Sequence, residues 1–212
     1  MHIPDGFLNV ATVATTCVVS AGGVGNAVRV ANKKLGEKHV PLMGILAAFI
    51  FAAQMLNFPI AGGTSGHLIG AALAAILLGP WASVLIMGCV LIAQCLIFQD
   101  GGLLALGANI FNMGIVASFS GYYLYRLATS FLGDDRRSKL IGGFIGAWGS
   151  VFLASIVCAI ELAVSGAAPL GIVLPAMAGF HALIGIGEGL ITGAVLSLVL
   201  VTRPDLLQLQ KV

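Results

Sequence analysis

Met1 and His2, the first two residues of the chain, carry nitrogen donors that could close around one metal ion. The Met1 amine, the His2 amide nitrogen and His2 Nδ1 would form two fused chelate rings, and their shared backbone forces the three nitrogens towards a plane. An amide nitrogen binds only after losing its proton, which Ni²⁺ and Cu²⁺ promote far better than Zn²⁺ or Mg²⁺. These two metals also prefer a tetragonal nitrogen set. The pattern predicts a planar site in which one of the four donors is still missing. The metal affinity of this site should fall as the pH drops. The alternative is a short polar cap in front of a helix.

His67 is the best candidate for the missing donor. We expect it at the start of a helix, where the helix dipole favours a neutral imidazole. Against this, a histidine in a membrane protein is more often a hydrogen-bonding residue than a ligand. Acidic residues could offset the charge of the metal, and amide side chains could orient the two rings. The polar residues expected around the site are Asp5, Asn57, Thr64, Ser65, Gln99, Asp100, Asn109, His181 and Glu188.

His181 and Glu188 are seven residues apart and should share one helical face. Their chemistry suits a proton relay, a second metal site or an interhelical hydrogen-bond pair. We favour the hydrogen-bond pair, as structural support for the pocket.

The composition predicts an integral membrane protein. Of its 212 residues, 59% are hydrophobic and only 8% are charged, whereas soluble domains carry about 25% charged residues. The long, unalternated apolar stretches favour an all-α fold of about seven transmembrane helices. We expect one membrane domain over 1–212, with a metal-binding segment at 1–8, a helical bundle at 7–201 and a short tail at 202–212. The predicted stretches are Phe7–Val30, Val40–Leu56, His67–Leu78, Trp81–Phe98, Leu103–Leu127, Leu140–Val164 and Leu174–Val201.

With seven spans, every lysine and arginine falls on one side of the membrane, which the positive-inside rule makes cytoplasmic. The N-terminus is then outside, the C-terminus is cytoplasmic, and the predicted site faces outward. The third stretch is short and follows a Gly-rich loop, so we expect backbone that dips into the membrane. Met1–Asn9 has no lysine or arginine and carries Asp5, and we interpret the N-terminus as uncleaved. The basic residues are Arg29, Lys33, Lys34, Lys38, Arg126, Arg136, Arg137, Lys139, Arg203 and Lys211.

Four segments, MHIPDGFL, GGTSGHLIG, QDGGLLALGANIFNMG and HALIGIGEGLITG, resemble the CbiM/NikM family. The resemblance extends over nearly the whole chain, and the opening octapeptide and the SGH motif are its most specific parts. It implies the metal-binding membrane subunit of an energy-coupling-factor transporter in a prokaryotic plasma membrane. The family's metal site corresponds to the Met1 amine, the amide and ring nitrogens of His2, and the ring of His67. The planar set favours nickel as the transported ion, with cobalt as the alternative.

The resemblance also implies the partners: a transmembrane coupling subunit, two ATPase subunits and a small accessory membrane protein, here on a separate chain. We expect no organic cofactor, no nucleic acid and no catalytic activity in this chain, which has no Walker motif. Two other classes stay open at this point. An intramembrane metalloenzyme would use His67, His181 and Glu188, and a proton-coupled transporter would rely on Glu161 and Glu188.

Overall fold

The computed structural model describes residues 1–36, 39–60 and 64–207, most of which are helical. Three helices begin at residues that typically start a helix. The side chains of Asn9 and Asp135 cap α1 and α7, and Pro80 is the first residue of α4. The helices are α1 Val10–Lys34, α2 His39–Gln54, α3 Ala71–Leu78, α4 Pro80–Ala93, α5 Leu106–Asn109, α6 Ala117–Leu132, α7 Arg136–Val164 and α8 Leu170–Thr202, followed by a 3₁₀ turn at Pro204–Leu207.

A small antiparallel hairpin departs from the predicted all-α fold. Strand β1 (Phe58–Ile60) pairs with β2 (Thr64–Gly66) in the register Phe58 to Gly66. Part of the Gly-rich loop, for which the sequence predicted backbone that dips into the membrane, thus forms strand β2. Residues 61–63 of that loop lie outside the described residues. The hairpin satisfies backbone groups in pairs, which a strand at membrane depth requires.

Helix α3 forms the centre of the bundle. All eight of its residues are buried, and it packs against α4, α6 and α7. It begins at Ala71, so His67 lies four residues before the helix and not at its start, as the sequence suggested. Gly70 precedes α3 in the left-handed conformation, with φ of 81°, and Ile50 leaves no room there for a Cβ atom. Glycine is the residue that meets both conditions.

Two π-helical segments interrupt the helices next to the N-terminal segment. Gln94–Phe98 continues α4, and Ile110–Val116 joins α5 to α6 in one continuous helix. Gln94 begins the first π segment, and Asn109 immediately precedes the second. π-helical turns occur frequently at functional sites. Both of these residues contact the N-terminal segment, as described below.

The outer surface of the bundle is apolar along most of its length. On α8, the exposed side chains include Leu183, Leu190 and Leu198. Among the described residues, four helices are long and apolar enough to cross a membrane, namely α1, Pro80–Phe98, α7 and α8, and α2 is a shorter apolar helix. An apolar surface this extensive is typical of a protein that faces lipid. The count of seven spans stays a prediction. Helix α8 begins four residues before the predicted stretch and contains Pro175.

The two ends of the bundle differ in chemistry. At one end, Asn9 donates to the carbonyl of Val164 and Ser165 donates to Thr12, which joins the start of α1 to the end of α7. At the other end, Arg136 donates to Ser197. Lys34 at the end of α1 lines one cavity with Tyr122 of α6, and Arg126 lies over the Tyr122 ring. Lys38 and Lys211 lie outside the described residues, and the orientation of the two ends in the membrane stays a prediction.

Candidate metal centre

The N-terminal segment folds back into the bundle and brings the predicted donors together. Met1 and Ile3 are fully buried, and His2 and His67 are almost fully buried. The Met1 amine lies 2.6 Å from His67 Nε2. A terminal amine is normally solvated, so its burial is unfavourable unless another group hydrogen-bonds to it. Here that group is the imidazole nitrogen of His67. Three of the predicted ligand groups therefore lie in one enclosed space.

His67 presents a lone pair to the Met1 amine. Its Nδ1 lies 2.7 Å from the carbonyl oxygen of Leu68. A carbonyl only accepts, so Nδ1 carries the ring proton and Nε2 is unprotonated. A metal-binding histidine usually donates its other ring N–H to such an acceptor. His67 is thus held in the tautomer that suits coordination through Nε2.

The His2 ring has one bonded and one unbonded nitrogen. Nε2 lies 3.0 Å from Gln94 Oε1. Nδ1 is buried and has no hydrogen-bond partner in the part of the chain that the structure describes, although Asp100 Oδ1 lies 3.3 Å away. The two groups are close but do not meet hydrogen-bond geometry, so the contact is electrostatic. The carboxylate therefore lies beside the nitrogen that the chelate would use. The His2 and His67 rings stack, with centroids 4.5 Å apart and planes at 25°.

Ser65 contacts the two backbone nitrogens of the predicted chelate. Its hydroxyl oxygen accepts from the Met1 amine and from the His2 amide, each at 3.2 Å. On the same strand, Thr64 donates to the His2 carbonyl at 3.3 Å. The His2 amide proton, which a metal would displace, points at Ser65. Strand β2 thereby aligns the first peptide unit of the chain.

Two side chains hold the rest of the N-terminal segment. The Asn109 amide accepts from the Ile3 N–H at 2.8 Å and donates to the Ile3 carbonyl at 3.1 Å. The Asp5 carboxylate accepts from the backbone N–H groups of residues 103–105, at 2.8 to 3.1 Å. A Cβ atom on Gly102 would collide with Asp5. The glycines of the QDGG sequence thus permit a close backbone approach that fixes the segment.

Burial keeps the donor groups uncharged at neutral pH. Burial lowers the pKa of the Met1 amine to about 5 and, with the nearby amine, lowers the pKa of His2 to about 3. Burial also holds the pKa of His67 well below its usual value. For Asp100, burial raises the pKa of the carboxyl group. Neutral amine and imidazole nitrogens have free lone pairs, so the site is ready to coordinate a cation.

Other predicted residues lie further out or have different partners. Asn57 is exposed and donates to Asp100 at 3.1 Å, and Gln99 is exposed at the left-handed turn that ends the π segment of α4. The amide that contacts the His2 ring is that of Gln94, so the prediction for Gln99 as an orienting residue is not supported by this geometry.

His181 and Glu188, which we predicted to make interhelical hydrogen bonds that support the pocket, have separate partners. His181 Nδ1 lies 2.8 Å from the Met177 carbonyl of its own helix, and its Nε2 is buried without a partner among the described residues. Glu188 instead accepts from the backbone N–H groups of Ile69 at 2.6 Å and Gly70 at 2.8 Å. It therefore supports the pocket by holding the loop that carries His67, and not by pairing with His181.

Gln54 and Gln94 were missed by the sequence analysis. Both are completely buried, on α2 and at the end of α4. An uncharged amide inside an apolar span is costly unless it is hydrogen-bonded, and that cost is the signal that could have found them. Sequence spacing could not show that these two glutamines, forty residues apart, hydrogen-bond to each other.

Residues 2–206 match the family model of CbiM, described as the cobalt uptake substrate-specific transmembrane region. The chain is 45% identical over 210 residues to a putative fused nickel transport protein NikMN of Archaeoglobus fulgidus, covering 98% of this chain and 68% of that protein. It is 36% identical over 209 residues to cobalt transport protein CbiM 1 of Pelobacter propionicus, covering 94% and 91% of the two chains. A crystal structure of a truncated transition metal transporter superposes with a TM-score of 0.86 at 40% identity, covering 94% of this chain and 98% of that chain.

Proposed function

Because the chain belongs to the CbiM family of substrate-specific transmembrane regions for metal uptake, we propose that it is the nickel-binding subunit of an ATP-driven energy-coupling-factor importer. Its ligands are the Met1 amine, the amide nitrogen and Nδ1 of His2, and Nε2 of His67. Cobalt is the alternative cargo, since relatives named for each metal occur. The proposal requires that Met1 carries a free amine.

The contact between the Met1 amine and His67 Nε2 carries this proposal. With metal–nitrogen bonds of about 2.0 Å, as in zinc–imidazole bonds, neighbouring corners of a four-nitrogen square are about 2.8 Å apart. The observed nitrogen–nitrogen distance of 2.6 Å is close to this spacing. The unbonded Nδ1 of His2 supplies a further donor in the same enclosed space.

The donor set favours nickel over cobalt. Four nitrogens, one of them a deprotonated amide, create a strong planar field, which low-spin Ni²⁺ accepts well. Cu²⁺ would bind such a site at least as strongly. We therefore assign the exclusion of copper to its availability or to the release step.

In the proposed cycle, metal arrives from outside a prokaryotic plasma membrane, binds the lone pair of the neutral Met1 amine and displaces the proton of the His2 amide. Metal binding then fixes the N-terminal segment over the pocket. Two ATPase subunits, acting through a transmembrane coupling subunit, reorient this subunit so that the metal leaves inward. A small accessory membrane protein completes the assembly.

Inserting two alanines between Met1 and His2 tests the ligand set. The insertion places two more peptide units between the amine and the histidine, so the two fused rings can no longer form with the same three nitrogens. A single insertion would be uninformative, because an amine, two amide nitrogens and the imidazole of an X-X-His sequence close a planar set by themselves. We expect the purified variant to lose stoichiometric nickel binding in isothermal titration calorimetry while its helical circular dichroism is retained. The matched control carries the same two alanines after Val212.

Nickel binding that is unaffected by the insertion would refute the assigned ligands. Mass spectrometry that finds a trimmed or acylated Met1 would refute them as well. The visible spectrum gives an independent check, because planar low-spin Ni²⁺ is yellow and has a d–d band that octahedral oxygen sites lack. Loss of that band in the insertion variant is the expected result.

A further inference from the structure

A chain of buried amides connects the His2 ring to the loop that carries His67. His2 Nε2 lies 3.0 Å from Gln94 Oε1, and Gln94 Nε2 donates to Gln54 Oε1 at 3.0 Å. Gln54 Nε2 then donates to the carbonyl oxygen of Ile69 at 2.7 Å. We call these groups, from His2 through Gln94 and Gln54 to Ile69, the amide relay. It joins the N-terminal segment, α4, α2 and the loop before α3.

The direction of every hydrogen bond in the amide relay is fixed by its last member. The Ile69 carbonyl has no proton, so Gln54 must present its NH₂ group to it and its oxygen to Gln94. Gln94 must then present its NH₂ group to Gln54 and its oxygen to His2. Turning over either amide would place two acceptors or two donors face to face. The direction thus follows from a backbone atom and not from the choice of amide rotamer.

The consequence at His2 is a defined tautomer. Facing the oxygen of Gln94, Nε2 must carry the ring proton, which leaves Nδ1 unprotonated. Nδ1 is the buried atom that has no hydrogen-bond partner among the described residues. It is also the nitrogen that the five-atom and six-atom chelate rings at the N-terminus require. The opposite tautomer would place a proton where the metal binds.

The amide relay continues beyond Ile69 to a carboxylate. The carbonyl of Ile69 and the N–H of Gly70 belong to one peptide group, and that N–H donates to Glu188 Oε1 at 2.8 Å. The Ile69 N–H donates to the other carboxylate oxygen at 2.6 Å. Hydrogen bonds aligned in one direction polarise each other, and the carboxylate at their end increases electron density along the chain towards the His2 ring. Glu188 is buried, so water screens this effect little.

We propose that Gln54 and Gln94 are positioning residues: through the fixed carbonyl of Ile69, they hold His2 in the tautomer that leaves Nδ1 free for the metal. This inference rests on the proposed function, since it takes Nδ1 as a ligand. It extends the site to a residue on α2 that does not touch His2. It also connects the His2 ring to the backbone of Ile69, which lies two residues after His67.

The test is the tautomer of His2 in the metal-free protein. Nitrogen-15 labelling of the four histidines and NMR in lipid bilayers distinguish a protonated Nε2 from a protonated Nδ1. Wild type should show the Nε2-protonated form alone for His2. Methionine has nearly the same shape as glutamine but lacks the amide oxygen and the NH₂ group. In Gln54→Met we therefore expect a mixture of His2 tautomers. Its nickel affinity should fall by about 10- to 100-fold, the usual effect of altering the partners of metal ligands.

A second variant and a control separate this role from a general loss of packing. Gln94→Met removes the direct partner of His2 and should also give mixed tautomers. Ser155→Ala also removes a buried hydrogen bond, but one that stays within its own helix, and it should leave both the tautomer and the nickel affinity unchanged. An unchanged His2 tautomer in Gln54→Met and Gln94→Met overturns the inference, even if affinity falls.

The failure of this inference can be distinguished from failure of the proposed function. Wild-type protein that binds nickel with a planar spectrum, together with variants of unaltered tautomer, contradicts the amide relay alone. Wild-type protein that binds no nickel contradicts the proposed function, whatever the tautomer. Both observations come from the same labelled samples.

Discussion

The chemistry of this protein depends on lone pairs that burial makes available. The Met1 amine, the His2 ring and the His67 ring are all neutral at pH 7, because charging any of them inside the bundle would be unfavourable. Each ring has its second nitrogen bonded to an acceptor, Leu68 for His67 and Gln94 for His2. These two acceptors therefore determine which ring nitrogen is left unprotonated: Nε2 in His67 and Nδ1 in His2.

At this scale, His67 and His181 should respond differently to replacement by alanine. His67→Ala removes a proposed ligand, so we expect nickel affinity to fall by more than the about 10- to 100-fold typical of indirect partners. His181 contacts the carbonyl of Met177, and His181→Ala should lower the affinity by less than about 10-fold. Calorimetric titration of both variants measures the difference. If His181→Ala is the more damaging change, the fourth ligand has been misassigned.

At the scale of elements, the N-terminal segment behaves as an inserted part of the core. It has no regular structure of its own before α1, yet Met1 and Ile3 are buried as completely as the residues of α3. Its backbone is held by Asn109 on one side and by Thr64 and Ser65 of β2 on the other. The hairpin, the loop before α3 and the end of α4 thus position the first two residues of the chain.

Replacing Asn109 by alanine tests this arrangement of elements. The variant leaves the buried N–H of Ile3 without its acceptor, at a cost of about 1–3 kcal/mol, whereas the Ile3 carbonyl keeps its bond from Gly102. We expect the segment to detach more often and nickel to dissociate faster, with affinity reduced by about 10-fold. Stopped-flow measurement of nickel release into a chelator would show this. Asn32→Ala, at the basic end of α1, is the control and should release nickel at the wild-type rate.

At the scale of the whole molecule, the site and the basic residues occupy opposite ends of the bundle. Helix packing makes this arrangement possible, since α7 and α8 run antiparallel and bring Arg136 to Ser197. In the proposed orientation, metal enters at the end that is open to the outside, and the basic end faces the ATPase subunits. An importer of this kind would need a change of orientation to release its cargo.

Reconstituted transport discriminates between the proposed importer and the proton-coupled alternative. With the coupling and ATPase subunits present, we expect nickel uptake into proteoliposomes to fall to background when ATP is omitted. Collapse of the proton gradient by an ionophore should leave uptake unaltered. The reverse pattern would support a proton-coupled transporter that relies on Glu161 and Glu188.

The sequence by itself determined the class of protein and the donor atoms that its first two residues offer, and it predicted the orientation of the two ends. Composition and the lengths of apolar stretches depend only on which residues follow one another along the chain. The set of nitrogens in Met1–His2 likewise depends only on those two residues. For the same reason the apolar stretches predicted the helices well. The starts of α1 and α7 shifted, because the capping side chains of Asn9 and Asp135, and not hydropathy, set where these helices begin.

Only the tertiary structure decided which side chains meet. It placed the Met1 amine against His67, paired β1 with β2 and gave Glu188 the backbone of Ile69 and Gly70 as partners. It also selected Gln94 over Gln99 as the partner of His2 and connected Gln94 to Gln54. Such contacts join residues distant in sequence, and several helix packings satisfy the same hydropathy pattern. The buried hydrogen bonds that each packing can complete distinguish one from another.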